Sequence, residues 1–278
     1  HRTLGQNGLG ASATCLTSDL FSVTVKHYNS KKQKTQFFID GANKIKENPT
    51  KKLTGNSGVK VEVILSEEVY KDNTIDFDLL RKRIIDLSFN NTGLIFYLNN
   101  EKIVSKNGIQ ELSQLINKNT FSFCEDLDII HEFKLNNSIV KGKYTISFAI
   151  NFNGDNEREN FISFINSTPT YDGGFHHDRT KRIFINEVKE KLEKQARKEK
   201  LEIIDSDICN GMSFVLSVIM PNPRFESQTK RKLVKDTNLE KSIDQLIKEN
   251  INKLYRRFPD FLEAIIRRAE KRTKNEAL

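Results

Sequence analysis

The sequence predicts an α+β chain, a mixed α/β body that ends on helices. Three observations carry this expectation. Apolar residues alternate with polar ones in a series of short segments, several with Gly or Asn near their ends, the period of a pleated strand. Between some of these segments apolar residues recur every three or four positions, the period of an amphipathic helix. Beyond residue 238 the alternation stops and only helical stripes remain.

In order, strands are expected at Phe21 to Val25, Gln36 to Ile39 and Val59 to Leu65, then at Gly93 to Leu98, Tyr144 to Phe152, Phe161 to Ile165 and Met212 to Met220. β-branched and aromatic side chains enrich these segments. Phe77, Leu80, Ile84 and Leu87 share one helical face, so Asp76 to Ser88 is expected as a helix with Asp76 at its N-cap. Phe184, Val188 and Leu192 mark a helix over Arg179 to Glu199, whose Lys- and Glu-dense outer face is solvated surface. Ile243, Ile247, Ile251 and Leu254 line a helix reaching Phe258. Pro259 opens another, lined by Leu262, Ile265, Ile266 and Ala269. Lys44 to Ser57, polar and rich in Lys and Asn, reads as a loop. The polar run Lys71 to Thr74 is the expected boundary between a first domain over 1–72 and a second over 73–238, with helices over 239–278.

With 278 residues, 37% apolar and 29% charged, the chain can bury one large core or two ordinary ones. Cys15, Cys124 and Cys209 lie far apart with no CxxC or Cys/His spacing, which argues against a disulfide framework or a zinc site and for free thiols in a reducing compartment. No apolar run approaches the roughly 18 residues of a membrane span, and no export signal opens the chain, so a cytoplasmic location is expected (the host's, for a viral protein). The first residue is His1 rather than Met, and the chain is expected to be a fragment, a processed chain or one part of a split gene. A net charge of +8 suits a polyanionic partner, because Lys and Arg that neutralise phosphates release condensed counterions. That charge concentrates at Arg256, Arg257, Arg267, Arg268, Lys271, Arg272 and Lys274.

Two stretches offer chemistry. Gly5-Gln6-Asn7-Gly8-Leu9-Gly10-Ala11-Ser12 is followed by Ala13, Cys15 and Leu16 at near-helical spacing. Glycines let backbone N–H groups approach a ligand, and a helix that starts after them turns its positive end toward phosphate. A glycine-rich loop before a helix is also an ordinary turn. The stretch lacks the GxxxxGK[ST] form, so a phosphate held there would need a cation from elsewhere. Pro221 to Lys230, PNPRFESQTK, supplies a candidate: two prolines stop the preceding strand, after which Gln228 and Lys230 offer an amide donor and a point charge. On composition alone an exposed polar loop accounts for it better. His176, His177 and Asp178 fit a helix start better than a metal or acid-base cluster, and Asp205 and Asp207, without a third ligand, fit turn and cap positions. No metal site is expected from either group.

Taken together these motifs resemble a known family. GQNGLGAS is similar to the third nucleotide-binding motif of the GHKL superfamily of gyrase, heat-shock chaperone, histidine-kinase and MutL ATPases. PNPRFESQTKRKL resembles the Q-T-K loop of type IIA DNA topoisomerases. Between them, Phe161 to Ser167 and Gly173-Gly174-Phe175-His176-His177 resemble that family's F-V-N-x-I-x-T-x-x-G-G-x-H segment. Asp205 to Gly211 resembles the stretch before its next strand, and Ser88-Phe89-Asn90 with Gly93-Leu94 its F-L-N-x-G helix exit. The chain thus resembles the ATP-using part of gyrase B and eukaryotic topoisomerase II, and its NPRF-x-SQTK wording leans toward a T-even-like bacteriophage enzyme.

The resemblance implies the C-terminal part of a GHKL (Bergerat) ATPase domain over 1–72, then a ribosomal-protein-S5-domain-2-like transducer domain over 73–238. Residues 239–278 would be transducer helices leading toward a Toprim domain. Gly5, Gln6, Asn7, Gly8, Leu9, Gly10, Ala11 and Ser12 would cradle the ATP phosphates, with Gly8 and Gly10 closest. Lys230 would be the catalytic switch lysine on the γ-phosphate, with Gln228 and Thr229 beside it. Val59 stands where the family has Thr and is not expected as a ligand. The family's catalytic Glu, magnesium-binding Asn and D-x-G-x-G motif would precede His1, and the Toprim domain and cleavage tyrosine would follow Leu278. ATP and Mg2+ are therefore the implied cofactors, the metal ligand lying outside the chain, which alone is expected not to hydrolyse ATP. The implied partners are double-stranded DNA, a second copy through the ATPase region, and other topoisomerase subunits, with no membrane. The competing expectations are a MutL-like ATPase and a basic nucleic-acid-binding module whose glycine loop is only a turn.

Overall fold

The computed structural model describes residues 8–117, 121–135, 138–153 and 158–276. The chain divides into two compact units, with the division after Leu80.

The first unit holds α1 (Leu9–Leu16) and an antiparallel sheet of β1 (Ser18–His27), β2 (Lys32–Ile39), β3 (Lys44–Glu47), β4 (Lys51–Lys52) and β5 (Gly58–Leu65). Its order is β3-β2-β1-β5, with β4 on the start of β2. Register follows the alternation in the sequence. Phe21, Val23 and Val25 lie opposite Val63, Val61 and Val59 of β5, which makes one face apolar. Phe21 also meets Phe38 of β2 edge to face at 6.2 Å. The other face carries Lys60, Glu62, Thr24 and Thr35, the two threonine hydroxyls 2.8 Å apart. Val59 and Val61 remain 68% and 52% exposed. Among the described residues, then, no second layer covers the apolar face along β5, although a sheet ordinarily needs one. Lys44 to Ser57, expected as a loop, instead supplies β3 and β4. Their KIKE and KK sequences are almost wholly polar and exposed on both faces, so no apolar period marks them as strand.

The division falls inside α2 (Phe77–Asn90), whose N-cap is Asp76: its Oδ1 accepts the N–H of Leu79 at 2.9 Å. The second unit continues with β6 (Phe96–Leu98), β7 (Glu101–Ile103) and α3 (Ile109–Ile116), followed by β8 (Phe121–Leu135), β9 (Ser138–Phe152), β10 (Asn160–Ile165) and β11 (Thr168–Pro169). Next come α4 (Phe175–Glu199), α5 (Asp205–Cys209), β12 (Met212–Ile219), α6 (Thr237–Arg257) and α7 (Asp260–Glu276). The expected strand from Gly93 shortens to β6, because Gly93 takes a left-handed turn with φ 80°.

The main sheet runs β11-β10-β12-β9-β8. β10 and β12 are parallel neighbours joined through α4, a βαβ crossover. β12 is central and buried along almost its whole length, so both of its faces must be apolar or satisfied. Met212, Phe214, Leu216 and Val218 enter a core shared with α4, α6 and α7, while Val215 joins Phe89, Ile109, Leu112, Ala149 and Phe164 on the α2 and α3 side. The sheet is thus the middle of three layers. His176, Thr180, Phe184, Val188, Leu192 and Ala196 form an unbroken i, i+4 buried stripe along α4. Arg179 of α4 pairs with Asp244 and Glu240 of α6. Asp236 caps α6, accepting the N–H of Leu239 at 2.8 Å.

The basic tail is divided in its roles. Arg272 reaches the buried Asp207 carboxylate at 3.1 Å and the Glu202 carbonyl at 2.6 Å. Arg268 bonds the Asn210 carbonyl and lies 4.7 Å over the ring of Phe152. These two arginines hold α7 on the turn around α5 rather than standing in solvent, whereas Arg256, Arg267 and Lys271 are exposed. Asp207 also accepts the N–H of Ile204 at 3.0 Å, a cap position. The three cysteines are free, and burial pushes the thiols of Cys124 and Cys209 up to about 12, which keeps both protonated at neutral pH. Among the described residues no helix is long and apolar enough to cross a membrane.

Candidate functional site

Gly5, Gln6 and Asn7 lie outside the described residues. Gly8 precedes α1 with φ 66° and ψ 4°, the left-handed conformation that favours glycine, and no side chain caps the helix. The hydroxyl of Ser12 turns back to the Gly8 carbonyl at 3.3 Å and that of Thr14 to the Gly10 carbonyl at 3.0 Å. The N–H groups of Leu9, Gly10 and Ala11 are then first-turn donors with no partner inside the helix. All three residues are exposed, and Gly10 has open space where a Cβ would stand. This arrangement can accept an anion at the positive end of α1. The helix is fastened at its other end: Thr17 Oγ1 donates to the Ala13 carbonyl at 2.8 Å and lies 2.9 Å from the Tyr70 hydroxyl.

In the second unit the loop after β12 is a braced hairpin. Asn166 imitates a strand partner at its base, donating from Nδ2 to the Met220 carbonyl and accepting the Met220 N–H, both at 2.9 Å. Val234 N–H then donates to the Arg224 carbonyl at 2.9 Å and Glu226 N–H to the Lys232 carbonyl at 3.0 Å, with a Lys232–Glu226 ion pair at 2.9 Å outside them. A turn closes the tip, the Lys230 N–H donating to the Ser227 carbonyl at 3.1 Å. Lys230 itself has φ 57°, a left-handed conformation unusual for a side-chain-bearing residue. Gln228 and Thr229 are exposed and Lys230 is half-buried, so the three candidate residues of this loop stand together on one tip.

The hairpin leans on the turn before α4. Asp172 N–H donates to the Arg231 carbonyl at 3.2 Å, and Arg231 Nε and Nη2 donate to the Asp172 carboxylate at 2.7 and 2.9 Å. These bonds hold the Asp172 carboxyl below the usual carboxylate range. Gly174, with φ 119°, forms a bridge to Leu233, and Phe175 N–H donates to the Leu233 carbonyl at 3.2 Å. A Cβ on Gly174 would sit 2.7 Å from the Leu233 nitrogen and 2.8 Å from its oxygen. Gly174→Ala is therefore expected to destabilise the second unit by about 2–4 kcal/mol, from backbone strain and overpacking together. Urea denaturation would measure this, and an unchanged midpoint would mean that the hairpin yields without cost.

His176 is buried and 3.0 Å from the Thr170 hydroxyl through Nε2, a structural role at the start of α4. His177 stacks on Phe161 at 4.0 Å, and Asp205 pairs with Lys189 at 2.6 Å. Among the described residues no group of three His, Cys, Asp or Glu side chains is placed to hold a metal ion. Asp172 and Arg231 escape a reading of the sequence. They lie 59 residues apart, and a pairing at that separation leaves no local pattern.

Solved structures share this fold. The 43K ATPase domain of Thermus thermophilus gyrase B, solved with an aminocoumarin, aligns with a TM-score of 0.72 at 18% identity, over 98% of this chain and 75% of that one. The ATPase region of Saccharomyces cerevisiae topoisomerase II aligns with a TM-score of 0.62 at 22% identity, over 96% and 65%. The fold, α+β as expected, is that of the ATPase region of type IIA topoisomerases. The family model for DNA gyrase B matches residues 106–277, and the chain belongs to that family. The DNA gyrase B protein of Spiroplasma citri is 27% identical over 278 residues, covering 94% of this chain and 41% of that protein. The B protein of DNA topoisomerase 4 from Borreliella burgdorferi is 28% identical over 254 residues, covering 90% and 38%. The chain thus spans about two-fifths of the length of these two relatives.

Proposed function

We propose that this chain is the part of an ATP-dependent type II topoisomerase that senses the terminal phosphate of ATP and turns its presence into movement of a DNA gate. What supports the proposal is the braced hairpin with Gln228, Thr229 and Lys230 on its tip, which carry an amide, a hydroxyl and a cation, the groups that bind an anion. Gly8 to Ser12, with the exposed donors of α1, are proposed as a backbone cradle for the phosphates, which Gly5, Gln6 and Asn7 would complete. Residues 1–72 would then belong to the ATPase domain, 73–238 to the transducer and 239–278 to its closing helices.

A lysine that binds ATP better than ADP can bias a two-state arrangement only through that difference. Loss of the γ-phosphate removes its partner and releases the bias. Magnesium is proposed to accompany the nucleotide on ligands that these residues do not supply. Double-stranded DNA, a second copy of the protein and further subunits are the proposed partners, with contacts to DNA mainly at phosphate and weakened by salt.

The full-length protein, with its partner subunits, is expected to relax supercoiled plasmid with ATP and to stop after one round with a non-hydrolysable analogue. DNA binding indifferent to either nucleotide, with no relaxation, would favour the plain nucleic-acid-binding module instead.

A further inference from the structure

We propose that the turn from Thr170 to His176 is a socket that locks the Lys230 hairpin to α4, with Asp172 and Arg231 as positioning residues for Lys230. The inference rests on the nucleotide-sensing role of that lysine and adds what holds it in place. Arg231 follows Lys230 directly, so its bidentate grip on Asp172, at 2.7 and 2.9 Å, fixes the backbone one residue from the reaching side chain. The Asp172 N–H on the Arg231 carbonyl gives a third bond in the same place. Two residues on, Leu233 is buried and runs against Gly174 so closely that no side chain fits between them. The residue after that glycine is Phe175, the first of α4.

The socket is stiff on its inner side. His176 bonds the hydroxyl of Thr170 at 3.0 Å, and that hydroxyl donates to the Ser163 carbonyl at 3.0 Å, tying the turn to β10. α4 in turn holds α6 through Arg179 and its acidic partners. A pull on the tip is thereby delivered to two long helices rather than absorbed in the loop. The Asp172–Arg231 pair is the exposed, adjustable part of this connection, each side chain about half accessible.

In the full-length protein, Asp172→Asn and Arg231→Gln are each expected to lower the kcat for ATP about fivefold, the scale of one exposed ion pair expressed in a rate. KM for ATP should change less than about twofold, and amide exchange over residues 227–232 should accelerate. The charge-swapped double variant Asp172→Arg/Arg231→Asp is expected to recover at least half of the loss. Lys230→Ala, measured beside them, separates the two ideas. If Lys230→Ala slows turnover while neither Asp172→Asn nor Arg231→Gln does, the socket is overturned and the sensing lysine stands. If Lys230→Ala changes nothing, both fall.

Discussion

Lys230→Ala in the full-length protein is expected to lower ATP turnover by about two to three orders of magnitude while leaving the fold unchanged, the scale of removing one cation from a transferring phosphoryl group. The fold should survive because the turn depends on a backbone bond from the Lys230 N–H to the Ser227 carbonyl, which alanine keeps. Alanine also meets the same left-handed backbone at φ 57° that lysine does, so no new strain enters. Binding of ADP should be little altered, since the lost partner is the terminal phosphate. Steady-state hydrolysis with thermal unfolding as a control would measure both effects. Turnover within about twofold of the parent would remove Lys230 from the chemistry.

The second large effect concerns acid. His176 is fully buried, and among the described residues its hydrogen-bonding neighbour through Nε2 is the Thr170 hydroxyl, which already donates to the Ser163 carbonyl. In the tautomer with its proton on Nε2, that atom donates to the Thr170 hydroxyl and Nδ1 is left buried without a partner among those residues. A second proton would go to Nδ1, where nothing described accepts it. Burial, and then the neighbouring His177, push the imidazole down to about 3. An unfolded histidine takes its proton near 6.5, so between the two values the unfolded state binds more protons. Stability is complete above about pH 6.5 and is lost as pH falls toward 3, by at most about 1.4 kcal/mol per pH unit and several kcal/mol in all.

His131 is also held low, first by burial, and adds in the same direction. His176→Gln, which keeps an amide toward Thr170, isolates the first effect. Its stability in urea should fall less steeply between about pH 6.5 and 5 than that of the parent, by about one proton's slope. An NMR titration showing His176 protonating near pH 6 would refute the account.

At most segments where apolar residues alternate or recur helically the sequence and the structure agree, but the strand expected from Gly93 shortens to β6 and α3 is not among the expected helices. β1, β2, β5, β10 and β12 appear around their predicted residues, as do α2 and the two tail helices. The helix predicted from Arg179 begins at Phe175, because its first turn is set by Gly174 and by the burial of His176 rather than by an apolar stripe. β3 and β4 are invisible in the sequence because edge strands need no apolar face. In β8 the polar Glu125 takes an inward position between Phe123 and Leu127, where it pairs with Lys253 of α6, and this interrupts the apolar side of an alternation that Asp126 and Asp128 keep on the outward side. The site is legible only as motif words. Sequence places Gln228 and Lys230 in one loop, but not the turn that groups them or the Asp172 that steadies it. The tail shows the opposite error. Arg268 and Arg272 read as part of one basic cluster, yet their nearest partners are carbonyls, a carboxylate and a phenyl ring.

The valine-rich β5 sets a practical condition on handling this stretch of chain in isolation. It is the last strand in its sheet, and among the described residues nothing pairs with its outer edge. Val59, Val61 and Val63 alternate with Lys60 and Glu62, whose opposite charges cancel. A net-neutral, β-branched strand with open backbone donors and acceptors is a template for another copy of itself. Concentration would drive such molecules together strand by strand, and added salt would do little to part them, since no like-charge repulsion guards that edge.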